Sequence, residues 1–366
     1  MTTLDHDFWR DRRVLITGHM GFKGAWLTSL LARLGAHTTG FGKDDRLPLL
    51  YRVLELPAHR SIEGDINDTG LLRKAITESG ASILLHLAAQ PIVLRSYEDP
   101  LGTFRDNVMG TASTLQAARD ASELEAIVVV TSDKVYENRG WAWGYRETDA
   151  LSGHDPYSAS KAAAEIVARS MSRSYFSKPG APRVATARAG NVIGGGDWAE
   201  FRLLPDAARA FAHNEILRIR NPLSTRPWQH VLEPLVGYLQ LAQNLTRSFA
   251  KTNSTVVTEA WNFGPVPEDA IPVRDVATIF AEEWGKGAHW QADPLDREAL
   301  KEAYVLAVDA SLARSHLNWR PRWRVKEAVR RAAAWYRDHA DGMSATLLIK
   351  RDIDDYLGAL HQTEET

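Results

Sequence analysis

Cysteine is absent from the 366 residues, which removes disulfides, thiolate metal sites and any cysteine nucleophile. A cytoplasmic protein without a bound metal is the expectation. An excess of charge of either sign is missing as well: 44 Lys and Arg stand against 46 Asp and Glu, a formal net charge of −2. A nucleic-acid binder normally carries a basic surplus to neutralise phosphates, so small-molecule partners are favoured over nucleic acid. Long apolar runs are lacking too. The most apolar stretch, 83–94, is interrupted by His86, Gln90 and Pro91 and falls short of the ~20 residues a spanning helix needs. The first seven residues are polar and acidic where a signal peptide would start basic and turn apolar. Neither export nor membrane insertion is expected.

What is present is a regular alternation. Val14-Leu15-Ile16 reads as a strand buried on both faces, a glycine-punctuated turn follows, and 25–34 repeats apolar residues at helical spacing before stopping at Gly35. The pattern continues with strands near 37–41, 83–87 and 126–131 and helices near 70–78, 100–121 and 157–176. Strands alternating with helices predict parallel crossovers and an α/β, doubly wound Rossmann sheet. Beyond Gly190 the chain becomes richer in Trp, Arg and Pro, while 231–245 reads as a helix and 260–263 as a strand. The expected partition is a dinucleotide domain of residues 1–187 and 229–265 with a smaller, discontinuous substrate lobe of 188–228 and 266–366. The polar stretch 248–258 is expected to be a surface loop.

Thr17-Gly18-His19-Met20-Gly21-Phe22-Lys23-Gly24 sets three glycines at three-residue spacing between the first strand and the first helix. Gly18 suits a tight turn, Gly21 a backbone approached by a pyrophosphate, and Gly24 close packing of helix and strand, with the helix N-terminus attracting phosphate. His19 and Lys23 add positive charge nearby. After the second strand, Lys43 would suit a ribose 2′-phosphate whereas Asp44 or Asp45 would suit a free ribose hydroxyl. NAD is the preferred cofactor. His86, inside an apolar strand, reads as a core histidine rather than a catalytic one.

Two further motifs carry chemistry: Ser132-Asp133-Lys134 at a strand end, and Tyr157-Ser158-Ala159-Ser160-Lys161 opening a helix. Residues four apart on a helix share a face, so Lys161 can sit beside Tyr157 and, with oxidised nicotinamide, draw the phenol from about 10 toward neutrality as a usable base. Ser132 could bond the same hydroxyl. Together with the glycine motif, and with Gly64-Asp65-Ile66, Leu87-Ala88-Ala89-Gln90, Arg188-Ala189-Gly190-Asn191 and Arg226-Pro227-Trp228, these motifs resemble the extended short-chain dehydrogenase/reductase family. The resemblance runs through nearly the whole chain. Stretches 137–147 and 194–200 look like its sugar-nucleotide 4,6-dehydratase branch, and the substrate this resemblance implies is CDP-glucose.

The same resemblance implies the remaining roles. Ser132, Tyr157 and Lys161 would oxidise the sugar at C4. Asp133 would be the acid that expels the C6 hydroxyl, and Lys134, where the better-known dTDP-glucose enzymes carry Glu, would be either the base at C5 or a stabiliser of the enolate. Gly18, Gly21, Phe22, Gly24, Asp65, Ile66, Leu87, Ala88 and Ala89, together with Tyr157 and Lys161, would hold NAD. Gln90, Arg95 and Ser96 would approach the sugar, with local loop hydrogen bonding the equal alternative for Gln90 and Ser96, and Asn191 and Arg226 the diphosphate, with Arg202 and Arg220 as additional cations or solvated surface charges. A sugar-nucleotide 4-epimerase shares the Tyr–Lys pair, but Asp133-Lys134 speaks against it. Helices around 103–119 and 158–175 would build a homodimer through a four-helix bundle.

Overall fold

The computed structural model describes residues 4–43, 50–56, 59–249, 259–293 and 306–362. Helix α1 (His6–Trp9) is capped by Asp5, whose carboxylate accepts from the amide of Phe8. It precedes β1 (Arg13–Thr17), which enters α2 (Phe22–Arg33) through the glycine turn. Strands β2 (His37–Gly42) and β3 (His59–Glu63) follow, then α3 (Thr69–Ser79), started by the Asp68 side chain and ended by Gly80 at φ 56°. Next come β4 (Ile83–His86), α4 (Val93–Glu98), α5 (Pro100–Phe104) and α6 (Gly110–Ala118). Strand β5 (Ala126–Val130), helix α7 (Pro156–Tyr175) and strand β6 (Arg183–Ala189) complete this half.

These six strands and a seventh, Ala260–Phe263, make one fully parallel sheet in the order Ala260–Phe263, β6, β5, β4, β1, β2, β3. The order reverses between β1 and β4, the switch point where open α/β sheets bind ligands beyond their strand ends. Burial follows the two-residue strand period. Val14 and Ile16 face one core, with Trp9, Trp26 and Leu30; Leu15 faces the other, with Leu72, Leu115 and Ile127. Having both faces covered is why these strands read as uninterrupted apolar runs.

The second half supplies α8 (Leu203–Ala212), α9 (Leu232–Phe249), α10 (Val273–Trp284), α11 (Ser311–His316), α12 (Val325–Ala340) and α13 (Ala345–Gln362). Helix α9 packs on β5 and β6, α12 on α10 and α8, and α13 returns to α2.

Two expectations are corrected. The helix expected over 100–121 is α5 and α6 joined by a π-turn, Arg105–Met109, a widening that turns Asn107 inward to bind Gln90 and Ser160. Of the loop expected over 248–258, Ser248 and Phe249 belong to α9, and 250–258 lie outside the described residues.

Candidate active site

One large cleft opens over the C-terminal ends of β1, β4, β5 and β6. Its floor is the glycine turn. Gly18 has φ 74°, and a Cβ there would stand 2.7 Å from the amide nitrogen of Ala88, so only glycine lets the first turn pass the loop after β4. At Gly24 a Cβ would collide with the carbonyl of Gly18 and with His19; the room is needed by the turn itself, where the sequence suggested helix–strand packing. Gly21 caps α2 with no side chain in the way, leaving amide donors available to an anion. Phe22, Ile66, Leu87, Ala88 and Ala89 line the same end.

Asp65 accepts from Lys43 Nζ at 2.6 Å and from the backbone and side chain of Asn67. Burial works against its charge, but these partners hold the carboxyl down at about 2. Lys43 is thereby engaged by a carboxylate, and Asp44 and Asp45 lie outside the described residues. His19 brings no positive charge: burial, followed by neighbouring His59, lowers it to about 4, and its Nε2 bonds Ser61 Oγ at 2.8 Å. Lys23 is the other cation expected near the phosphates. Its ammonium reaches Tyr238 Oη on α9 at 3.4 Å and lies in the field of Asp133. Burial, then Arg202 and Lys161, push it to about 8.

The chemistry-bearing residues meet at the ends of β5 and α7. Helix α7 starts on Asp155, whose carboxylate accepts from the backbone and hydroxyl of Ser158, with Pro156 at the first position. This seats Tyr157 and Lys161, both buried, one above the other on the inner face. Beyond β5 the chain enters a 3-10 turn, Asp133–Val135, capped by Ser132 Oγ, which accepts from the amide of Lys134 at 3.2 Å. Adjacent strand residues would face opposite ways; the turn abolishes that alternation, and Ser132, Asp133 and Lys134 all line the cleft.

Ser132 acts on the Tyr157 phenol, lowering it, and donates to Asp133 Oδ1 at 3.1 Å. Burial raises the Asp133 carboxyl, opposed by Lys134, Ser132, Lys23 and Arg226. The Tyr157 phenol is also raised, because burial outweighs the pull of Ser132; the fall toward neutrality was expected of Lys161 and oxidised nicotinamide together. Burial pushes Lys161 itself to about 8, against the pull of Glu165, and its Nζ donates to the carbonyl of Val130 at 3.5 Å.

Gln90, Arg95, Asn191, Arg202, Arg220 and Arg226 also line the cleft. Gln90 spends its side chain locally, accepting from Ile92 N and donating to Thr103 Oγ1. Arg202 donates to Asp197 Oδ2 at 2.7 Å, Arg220 is exposed, and the charge of Arg226 reaches Asp133. Ser96 is corrected: fully buried, it accepts from the amide of Tyr157 at 3.2 Å and donates to Val93 O, so it braces Tyr157 from behind rather than facing the sugar. His86 is a core histidine bonded to Thr17 and Thr111. Asn107 and Tyr238 were missed: Asn107 clamps the Gln90 backbone to Ser160 from a π-turn without a sequence period, and Tyr238 sits in an apolar helix face.

Against known proteins, the family described as GDP-mannose 4,6 dehydratase matches residues 15–332. The chain is 43% identical to a CDP-glucose 4,6-dehydratase of Salmonella typhimurium over 97% of its own length and 99% of the relative's. It is 30% identical to a dTDP-glucose 4,6-dehydratase of Streptomyces antibioticus, covering 89% and 92%. Among solved structures, a dTDP-glucose 4,6-dehydratase from Streptomyces venezuelae shares the fold with TM-score 0.72 and 24% identity, over 90% of this chain and 98% of that one. A Thermotoga maritima UDP-glucose 4-epimerase shares it with TM-score 0.76 and 17% identity, over 89% and 99%. The sheet order, the glycine turn, the Tyr157–Lys161 pair and these matches together make the chain a member of the GDP-mannose 4,6 dehydratase family of extended short-chain dehydrogenases/reductases.

Proposed function

We propose that the protein is a hydro-lyase that converts CDP-glucose into CDP-4-dehydro-6-deoxy-D-glucose and water with NAD as a recycled cofactor, a step toward deoxysugars. The observation that carries the 4,6-dehydratase reading is that Asp133 and Lys134 line the same cleft as Ser132, Tyr157 and Lys161. An epimerase has no use for that second pair. The cytidine substrate rests on the 43% identical Salmonella typhimurium relative.

The glycine cradle, the uncapped start of α2 and Asp65 fit a dinucleotide. When bound, NAD supplies a hydride acceptor for the sugar's C4 hydrogen, returns that hydride at C6, and brings a positive charge into the cleft. Tyr157 takes the C4 hydroxyl proton, Ser132 orients the phenol, and Lys161 stabilises the phenolate. The resulting 4-keto group acidifies C5–H. Lys134 removes that proton or steadies the enolate, while Asp133 donates a proton to the departing C6 hydroxyl, which leaves as water. Burial keeps the Asp133 carboxyl raised, in keeping with a group that must arrive protonated. Arg226, with Asn191, Arg202 and Arg220, is assigned to the diphosphate.

The proposal extends to a cytoplasmic homodimer. Leu101 is 81% exposed, Met109 55% and Ile166 54%, apolar side chains on α5, the π-turn and α7, as a four-helix interface needs.

Incubating the protein with CDP-glucose and NAD tests the activity. A 4-keto-6-deoxy product, seen by its absorbance in alkali, is expected; a hexose epimerised at C4 with its C6 hydroxyl intact refutes the reading. UDP-, dTDP- and GDP-glucose in parallel test the base, and sedimentation tests the dimer.

A further inference from the structure

The inner face of α7 does not end at Lys161. One turn further, Glu165 is buried in the wall behind the cleft, at the same four-residue step that separates Tyr157 from Lys161. Its carboxylate accepts three hydrogen bonds, one from the residue that follows β5 and two from β6: Thr131 Oγ1 at 2.5 Å, Thr186 Oγ1 at 2.7 Å and Arg188 Nη2 at 2.7 Å. The Arg188 pairing is an ion pair with side chains 4% and 3% exposed. Arg188 Nη1 continues to Tyr136 Oη at 2.8 Å, and Tyr136 donates to Asn262 Oδ1, so the network spans β5, β6, the Ala260–Phe263 strand and the chain just beyond Lys134. A buried ion pair is seldom retained for stability, since apolar replacements often do as well. This one stands beside a buried lysine the chemistry needs charged.

We propose that Glu165 is a positioning residue for this chemistry: it holds Lys161 charged and seated at the end of β5. Through Thr131 it also fixes the strand end from which Ser132, Asp133 and Lys134 turn into the cleft. The inference rests on the dehydratase reading for its purpose, though the coupling of Glu165 to Lys161 can be measured without it.

The charges around Lys161 make the sign plain. Lys23 from α2 repels it. His86 from β4 feels its charge and is pushed to about 3 by burial, so it is neutral in any ordinary buffer. From the β5 side the carbonyl of Val130 meets the ammonium. Arg188, from β6, faces Glu165. Glu165 raises the Lys161 pKa against burial, which brings it to about 8. Losing the carboxylate leaves burial unopposed and strands the Arg188 charge, and both changes favour neutral Lys161.

The test is Glu165→Gln, which keeps shape and removes charge, with Thr131→Val as the partner that removes a hydrogen bond and leaves the charge. Lys161 lines the cleft, so its titration can be followed by labelling with acetic anhydride across a pH series and reading the peptide by mass. In E165Q the midpoint should fall by about one pH unit, and the alkaline limb of kcat for CDP-glucose should fall with it. T131V should leave both midpoints in place while lowering the melting temperature, and Glu165→Asp should restore them toward wild type. If E165Q does not fold, the double variant E165Q/R188M, which removes the stranded guanidinium as well, carries the same expectation. A labelling midpoint equal to wild type in folded E165Q, or one moved as far by T131V, overturns the proposal. Wild-type protein that labels as expected but does not convert CDP-glucose instead overturns the functional reading alone.

Discussion

The carboxylate of Asp133 lies against the backbone of Gly190, so closely that a Cβ at position 190 would stand 2.5 Å from Oδ2. The end of β6 thereby sets where the proposed acid points, from a strand adjacent to its own. Gly190→Ala should displace that carboxylate without touching the dinucleotide cradle. A displacement near 1 Å at a reacting group costs up to about 100-fold, so kcat for dehydration should drop by about 10- to 100-fold with NAD affinity unchanged. Steady-state kinetics beside NAD titration would check this; a folded G190A with wild-type kcat would show that Asp133 does not depend on this contact.

Ser96 offers a sharp choice between two roles. As a sugar contact, its loss would raise KM. As the acceptor for the Tyr157 amide at 3.2 Å, its loss leaves a buried N–H unpaired, at a cost of about 1–3 kcal/mol. Ser96→Ala should therefore lower the melting temperature and kcat together, with KM for CDP-glucose near wild type. A rise in KM alone would restore Ser96 to the substrate.

Much of this arrangement was legible in the sequence because strong periods leave strong marks. Val14-Leu15-Ile16 with glycines at 18, 21 and 24 announces a buried parallel strand feeding a helix, and Tyr157 with Lys161 announces one helix face. What escaped depends on distant burial or broken periods. Asn107 does its work from a π-turn, which a 3.6-residue pattern cannot distinguish from ordinary helix. Ser96 stayed open between the sugar and local bonding because a motif shows which residues lie near a cleft but not which way a hydroxyl turns. His19 looked cationic until β2 and β3 closed over it, where desolvation outweighs the phosphate-binding role its position suggests. The purpose of Glu165 needs the ends of β5 and β6 brought beside α7, 34 and 21 residues away along the chain.

Lys23 gives a pH test opposite in sign to that of Glu165. Its charge lowers the Asp133 carboxyl and it repels Lys161. Lys23→Met keeps the packing stem and removes the charge, so Asp133 should hold its proton, and Lys161 its charge, to higher pH. The alkaline limb of kcat should move up, by about half a unit to one unit. A limb that moves down or stays fixed would mean that the charge of Lys23 does not act on the residues it faces.

Far from the cleft, Glu233 on α9 ties the C-terminal helix to the body of the protein. Fully buried, it accepts from the amides of Arg322 and Trp323 and from Tyr356 Oη at 2.6 Å. Burial raises its carboxyl to about 7, opposed first by the Tyr356 hydrogen bond. An unfolded glutamate titrates near 4.3, so between about 4.3 and 7 the folded chain binds a proton that the unfolded chain releases. The stability this contributes is complete below the unfolded value and is lost as pH rises through 7. Glu233→Gln should flatten the fall of melting temperature between pH 5 and 7.5. Asp352 on α13, raised by burial to about 6, would leave a residual slope of the same sign. Tyr356→Phe, which deprives the buried carboxylate of one partner, should cost about 1–3 kcal/mol, most of it at the alkaline end where Glu233 is charged. Thermal melts across pH for wild type and both variants decide the matter, and an E233Q slope as steep as wild type would assign the titration to another group.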